Sequence, residues 1–190
     1  MIQLKHEELL QKIFLNVNEW LKFAEIKNFG LLSLNAAIVF GLTQIEFCEN
    51  STNKKIVFAI FGIFALFSFL FSLISLFSIV SKIEKGEYAK TFINKFSNWI
   101  DTEILFENIH FYGYLRSIEE VEFETKFLAK IGSTDAFSQY EKELITQILY
   151  NSRVTWLKYQ LFKIAAFFFL MGILSTIICL GIFGIIHCIS

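Results

Sequence analysis

Residues 107–115 combine hydrogen-bonding and aromatic side chains around one glycine. Asn108 and His110 carry hydrogen-bonding groups, and Phe111 and Tyr112 follow them directly with aromatic rings. Such a mixture suits stacking of a nucleobase and recognition of its edge, so these four residues are candidate ligand-binding residues. A turn that joins two helices and is filled by aromatic packing has the same composition. On composition alone the turn is the favoured interpretation.

A second candidate motif opens the first long apolar stretch. Glu25, Lys27 and Asn28 stand at its start. Charges so close to hydrocarbon are costly unless they are paired, so a Glu25–Lys27 pair with Asn28 would form an ion-pair girdle or a contact to a neighbouring helix. Ordinary anchoring at the membrane surface is the alternative, and it is favoured.

No constellation for catalysis or metal binding is found. The chain has no glycine-rich phosphate loop, no HExxH and no nucleophile elbow. Its three histidines are dispersed, and Cys48, Cys179 and Cys188 lack metal-ligand spacing. We therefore expect a protein that is not an enzyme and has no catalytic residue, metal or cofactor.

Three other features have ordinary explanations. His187 is expected at a membrane interface rather than in a proton relay. The acidic run of Glu119, Glu120, Glu122 and Glu124 is expected to be a solvated face. A disulfide between Cys48 and Cys188 is open, because pairing cannot be read from sequence.

Charge is segregated along the 190 residues, of which 55% are hydrophobic and 18% charged, with a mean hydropathy of +0.54. Residues 28–45, 56–81 and 164–190 carry no Asp, Glu, Lys or Arg. A spanning helix needs roughly 20 apolar residues, which predicts an integral membrane protein with about three spans. The first stretch is the shortest, and a buried helix of a soluble part is the alternative for it. With a net charge of −1, nucleic acid is not an expected partner.

Lysine and arginine are concentrated before the first span and between the second and third. Because cytoplasmic segments carry the excess of these residues, the N-terminus and the central region are predicted to be cytoplasmic. The predicted organisation is an N-terminal amphipathic helix (1–27), a first span (28–45), an outer loop (46–55), a second span (56–81), a cytoplasmic helical domain (82–163) and a third span (164–188).

Local patterns predict an all-α fold. Residues Leu10, Ile13, Val17 and Ala24 recur at helical spacing, which predicts a helix that packs on the central domain rather than on the lipid surface. Further apolar stripes are Phe92, Phe96, Trp99 and Ile100, and Ile118, Val121, Phe123 and Phe127, although Val121 and Phe123 also alternate as in a strand.

The last helix is predicted to be long and to continue directly into the third span. Gly132 suits a helix C-cap, and Ser138 with Glu141 forms a capping-box pattern at its start. Small residues in the third span favour close packing with another helix, and so predict a homo-oligomer; they are Gly172, Ser175, Gly181 and Gly184.

Taken in order, these motifs resemble a known family. They comprise Glu25-Ile26-Lys27 before two closely spaced spans, Asn108-Ile109-His110-Phe111-Tyr112-Gly113, and a final helix with Gln147-Ile148, Arg153 and Lys158. The chain resembles through most of its length the Pycsar-system membrane effectors, which are antiphage proteins paired with a pyrimidine cyclase.

The resemblance implies an effector that responds to cyclic UMP or cyclic CMP and impairs the inner membrane, causing growth arrest or cell death. On this interpretation Arg153 and Lys158 meet the messenger's phosphate; snorkelling, or pairing with Glu141 or Glu143, is the alternative for both. Two other functions stay open: an effector of another nucleotide-signalled defence system, and a membrane scaffold or channel subunit without a nucleotide ligand.

Overall fold

The computed structural model of the chain describes residues 2–44, 52–77 and 107–189, and the single positions 91, 93 and 95. The main helices in these ranges are α1 (Ile2–Gln44), α2 (Thr52–Leu76), α3 (Tyr112–Leu115), α4 (Glu120–Ile131) and α5 (Gln139–Ile189). These ranges contain no strand. The all-α prediction is confirmed, as is the prediction that the last helix continues into the last apolar stretch.

The chain divides into two compact units. Unit 1 comprises Met1–Ile26 and Ser78–Gln160, and unit 2 comprises Lys27–Phe77 and Leu161–Ser190. Both α1 and α5 contribute residues to each unit, because each of these helices is continuous past the division.

The core of unit 1 joins α1 to α4 and α5. Leu10, Ile13 and Val17 of α1 are fully buried, as their helical spacing predicts. They belong to one apolar cluster with residues of the later segments, including Leu115, Phe123, Phe127, Ile145 and Ile148. The N-terminal helix therefore packs on the central domain, as predicted.

Both predicted helix boundaries are present in unit 1. Gly132 ends α4 in the left-handed conformation with φ of 66°, and its N–H donates to the Leu128 carbonyl. At the start of α5 the Ser138 N–H donates to Glu141 Oε2 at 2.7 Å, and the Glu141 N–H donates to Ser138 Oγ at 3.3 Å. This reciprocal arrangement is a capping box, which satisfies amide groups that the helix itself leaves unbonded.

Tyr114 of α3 is tied to α4. Lys126 donates a hydrogen bond to the Tyr114 hydroxyl, and its ammonium also lies 2.9 Å from Glu122 Oε1. These two acceptors, the Tyr114 hydroxyl first, raise the pKa of Lys126. The side chain therefore stays charged and holds the short α3 segment against α4.

Unit 2 contains the apolar parts of three helices. Three helices of the described chain are long and apolar enough to cross a membrane, as predicted. Phe67 and Phe71 of α2 both stack on Phe168 of α5, with ring centroids 5.4 and 5.7 Å apart. Helix bounds alone do not mark where hydrocarbon begins, so the predicted limits of the spans stay predictions.

One member of the predicted stripes is placed differently. Val121 is 75% exposed, whereas Phe123 and Phe127 are buried. The reason is the helical period, which turns residues 123 and 127 to one face and residue 121 away from it. The stripe at Phe92, Phe96, Trp99 and Ile100 lies outside the described residues, as do Cys48 and the side chains of His187 and Cys188.

Candidate ligand-binding site

Residues 107–116 form a turn that polar groups fix against α1. The His110 N–H donates to Asn108 Oδ1 at 2.9 Å, and Asn16 Nδ2 of α1 donates to the His110 carbonyl at 2.6 Å. Nearby, Asn151 of α5 donates to Asn18 of α1 at 2.9 Å. The turn, α1 and α5 therefore meet at one junction within unit 1, and Asn108 and His110 lie exposed on it.

Aromatic rings from all three segments contact one another at this junction. Tyr112 stacks on Tyr159 of α5, with centroids 5.2 Å apart and planes 13° apart. Trp20 of α1 lies 5.6 Å from the Tyr112 ring and 6.4 Å from the Phe111 ring. Phe111 and Tyr112 are half-buried and Trp20 is 37% exposed, so part of this aromatic surface is open.

Gly113 lies against the Phe111 ring in the same turn. A Cβ at this position would lie 2.4 Å from Cε1 of Phe111, far inside contact distance. Gly113 is buried, and a side chain at this position would displace the Phe111 ring. The residue sets the position of the Phe111 ring.

Lys158 holds α5 to α1 and directly precedes Tyr159, whose ring stacks on Tyr112. Its Nζ donates a hydrogen bond to Glu25 Oε1 at 2.8 Å. The Lys158 side chain is 8% exposed, whereas that of Glu25 is 48% exposed. The carboxylate is therefore open to exchange with solvent, while the ammonium stays enclosed.

Lys158 therefore has a different partner from the two that the sequence suggested for it. Glu141 accepts hydrogen bonds from Ser138, and Glu143 accepts one from Gln139 at 3.1 Å. Glu25 lies 133 positions from Lys158, and no local pattern indicates a pair over such a separation.

Arg153 lies in other surroundings. Its Nη2 is 3.7 Å from Glu119 Oε1, and its side chain is 32% exposed. Five residues along a helix turn two side chains about 140° apart, so Arg153 and Lys158 face different partners. A third cation, Arg116, lies over the Trp156 ring at 3.9 Å and was not indicated by the sequence.

The other residues of the first-span motif belong to unit 2. Lys27 Nζ lies 5.6 Å from the centroid of the Phe162 ring, and Asn28 is fully buried. The partner that the structure gives Glu25 is Lys158, which the sequence did not predict. The motif thus contributes to a helix–helix contact through its glutamate.

A groove elsewhere in unit 1 was not predicted either. It has a volume of about 310 Å³, and its lining includes Gln11, Phe14, Tyr140, Glu143 and Gln147. This volume is at the lower end for small-molecule sites. Across the described ranges no group of His, Cys, Asp and Glu side chains is arranged to hold a metal ion.

The described residues define a class of protein: an all-α membrane protein with three apolar helices and a helical unit whose core includes the N-terminal helix. The chain belongs to the Pycsar effector family, because the Pycsar effector protein domain (PycTM) matches residues 9–185. It is therefore an effector in antiphage defence. No curated protein matches the chain, and no solved structure matches it.

Proposed function

We propose that this effector senses a cyclic pyrimidine mononucleotide, cyclic UMP or cyclic CMP, and then impairs the inner membrane, which arrests growth or kills the cell. The protein acts without catalysing a reaction. The observation that carries the proposal is the Lys158–Glu25 ion pair, whose lysine directly precedes Tyr159 of a partly open aromatic cluster. Together they offer a cation for the phosphate and aromatic rings for the base.

Each part of the nucleotide has a counterpart at the junction. The base stacks on the open surface of Phe111 and Trp20, a contact that every base offers and that contributes about 1–3 kcal/mol. Asn108 and His110, which are exposed beside these rings, hydrogen-bond to the base edge. The phosphate replaces the Glu25 carboxylate on the Lys158 ammonium, since both are anions and the carboxylate is half-exposed.

Such an exchange changes the state of the protein. With Glu25 bound, Lys158 ties α5 to α1; with phosphate bound, that tie is lost. A ligand shifts a conformational equilibrium only by its differential affinity for the two states, and Lys158 supplies that difference here. Because α1 and α5 both continue into unit 2, a change in their contact alters the helices that contain the apolar stretches.

Orientation follows from charge. Two segments are rich in lysine and arginine: the one before the first span and the one between the second and third spans. Both lie in the cytoplasm, where the cyclase partner makes the messenger. The lipid bilayer is the target, and no nucleic acid takes part.

Self-association completes the proposal, because small residues on an exposed helix face allow close packing against a second copy. Gly172 is not available for it: a Cβ there would lie 3.1 Å from Phe64 Cβ, so α2 occupies that face within unit 2. Gly181 is exposed with open space around it, and it offers a surface for a second copy.

The test is expression of the chain in a bacterium that lacks the cyclase, with membrane potential and dye uptake followed while cyclic UMP, cyclic CMP or cyclic AMP is supplied. Depolarisation that depends on one pyrimidine nucleotide supports the proposal. A response only to a purine nucleotide indicates another signalling system. An intact membrane under every nucleotide, with the protein present in the membrane, contradicts the proposal and favours a scaffold.

Two variants distinguish the groove from the junction as the place where the messenger binds. Gln147→Ala removes an amide from the groove, and Lys158→Met removes the ammonium from the junction. Messenger binding that is lost in Lys158→Met and kept in Gln147→Ala supports the junction. The reverse result moves the site to the groove.

A further inference from the structure

The interior of unit 2 contains buried polar side chains on two facing helices. Asn28 and Asn35 of α1 and Ser68, Ser72 and Ser75 of α2 are all fully buried. Polar groups inside a membrane segment are costly, and they are found where they serve packing or a pathway for substrate or ions. Which of these applies depends on what the groups are bonded to.

Their spacing places them on one line. On α2, steps of four and three residues put the three serines on one face. On α1, a step of seven residues puts Asn28 and Asn35 on one face. Asn35 Nδ2 donates to Ser68 Oγ at 2.8 Å and to the Leu31 carbonyl at 2.9 Å, which joins the two faces.

That hydrogen bond also sets the register of the pair. Helices joined by a short connection run antiparallel, so seven residues back along α1 correspond to seven forward along α2. This places Asn28 at the level of Ser75, about 10 Å from the level of Asn35 and Ser68, with Ser72 between them. We call these five residues the polar column.

Packing alone does not explain the polar column. Asn35 Oδ1, Ser72 Oγ and Ser75 Oγ have no hydrogen-bond partner among the described residues. A helical serine commonly bonds to the carbonyl four residues earlier, as Ser152 does with Ile148 at 2.8 Å. The hydroxyls of Ser72 and Ser75 do not, so they remain available to another group.

We propose that the polar column lines the route by which water and small monovalent cations cross this part of the membrane when the effector is active. Amide and hydroxyl oxygens replace part of a cation's hydration shell. The apolar stretches that hold the column carry no carboxylate that would bind a divalent ion tightly. This inference rests on the proposed membrane-impairing function and specifies its route.

Thiol accessibility tests the route. Ser72→Cys is introduced into a chain whose Cys48, Cys179 and Cys188 are replaced by serine and which still depolarises cells with the messenger. A membrane-impermeant cationic thiol reagent should modify Cys at this position about tenfold faster with messenger than without, because the buried side chain meets water only in the active state. Ser33→Cys, on the exposed face of α1, is the matched control and should show no such change.

The outcomes are distinguishable. If cells depolarise with messenger and the Ser72→Cys variant stays unmodified, the polar column is not the route, although the proposed function stands. If the parent chain does not depolarise cells with any messenger, both proposals fail. Modification at Ser72→Cys together with an equal increase at Ser33→Cys indicates general disruption of the bilayer and overturns the inference.

A second variant tests conduction without the reagent. Ser72→Ala removes a hydroxyl that bonds to no described residue, so no hydrogen bond within the described ranges is lost. Messenger-dependent cation flux should fall several-fold while messenger binding is unchanged. An unchanged flux in Ser72→Ala would show that this hydroxyl contacts no permeating ion and would overturn the route.

Discussion

Lys158 and Glu25 form a hydrogen-bonded ion pair of 2.8 Å that joins α5 to α1 within unit 1. The lysine is enclosed and the glutamate is half-exposed. The charge of Lys158 therefore depends more on the ion pair for its stabilisation than the charge of Glu25 does. Removal of Glu25 leaves an enclosed ammonium, whereas removal of Lys158 leaves a carboxylate that water can solvate. A hydrogen bond to a charged group contributes about 1.5–3 kcal/mol, enough to hold a resting state that a competing anion can release.

Replacement of Glu25 should shift the effector toward its active state. Glu25→Gln weakens the tie, so depolarisation should appear without messenger, or at a messenger concentration lower by about tenfold for each 1.4 kcal/mol lost. Glu19→Gln, an exposed glutamate on the same helix, is the control and should behave as the natural chain. Membrane potential in growing cells measures both.

A charge reversal separates the two roles of Lys158. The double variant Glu25→Lys with Lys158→Glu restores the ion pair but moves the ammonium from α5 to position 25 of α1, so no cation remains at the position where the phosphate is proposed to bind. These cells should keep a normal potential with and without messenger. Messenger-induced depolarisation in the double variant would show that the phosphate does not bind Lys158.

The turn at Gly113 gives the second prediction. Gly113→Ala should displace the Phe111 ring, because the new methyl group would overlap it. Messenger affinity should fall several-fold, since base stacking contributes about 1–3 kcal/mol, while the protein still inserts in the membrane. Gly62→Ala is the control, because a Cβ there has open space. Equal affinities of the two variants, measured by titration calorimetry in detergent, would contradict the stacking role of Phe111.

The third prediction concerns the end of α4. Gly132 has φ of 66° and no atom near its missing Cβ, so any effect of substitution arises from the backbone alone. Gly132→Ala should lower the free energy of unfolding of unit 1 by about 1–2 kcal/mol, and Gly132→Asn by less, because asparagine tolerates this conformation. The unfolding midpoint of Gly132→Ala should be lower than that of Gly132→Asn. An alanine variant more stable than the asparagine variant would be inconsistent with the cap.

The fourth prediction tests the start of α5. Ser138→Ala removes the hydroxyl that accepts the Glu141 N–H, and should lower the free energy of unfolding by about 1 kcal/mol. Thr134→Ala, an exposed position in the same loop, should have almost no effect. Amide hydrogen exchange in the first turn of α5 should increase only in Ser138→Ala; equal exchange in both variants would exclude the cap.

Much of the fold follows from local patterns. The charge-free runs at 28–45, 56–81 and 164–190 predicted the three apolar helices, because a membrane imposes a length and an absence of charge that a sequence shows directly. The C-cap at Gly132 and the capping box at Ser138 were predicted for the same reason, since each depends on residues within four positions of one another.

The candidate site was predicted only in part. Asn108, His110, Phe111 and Tyr112 were identified from composition, and the structure places all four on one turn. The Lys158–Glu25 pair and the Asn35–Ser68 hydrogen bond were missed, because each depends on the register of one long helix against another. Two helices can slide by a turn without change in either apolar pattern, so spacing along the chain does not fix that register.

The most direct test of the central claim is flux from liposomes that contain only the purified chain. Messenger-dependent release of a small cation with cyclic UMP or cyclic CMP, absent with cyclic AMP and absent in Lys158→Met, is the predicted result. Release from the natural chain that is equal with and without each pyrimidine nucleotide, or a nucleotide-dependent increase in release that persists in Lys158→Met, would contradict the claim that the chain itself senses the messenger at this site.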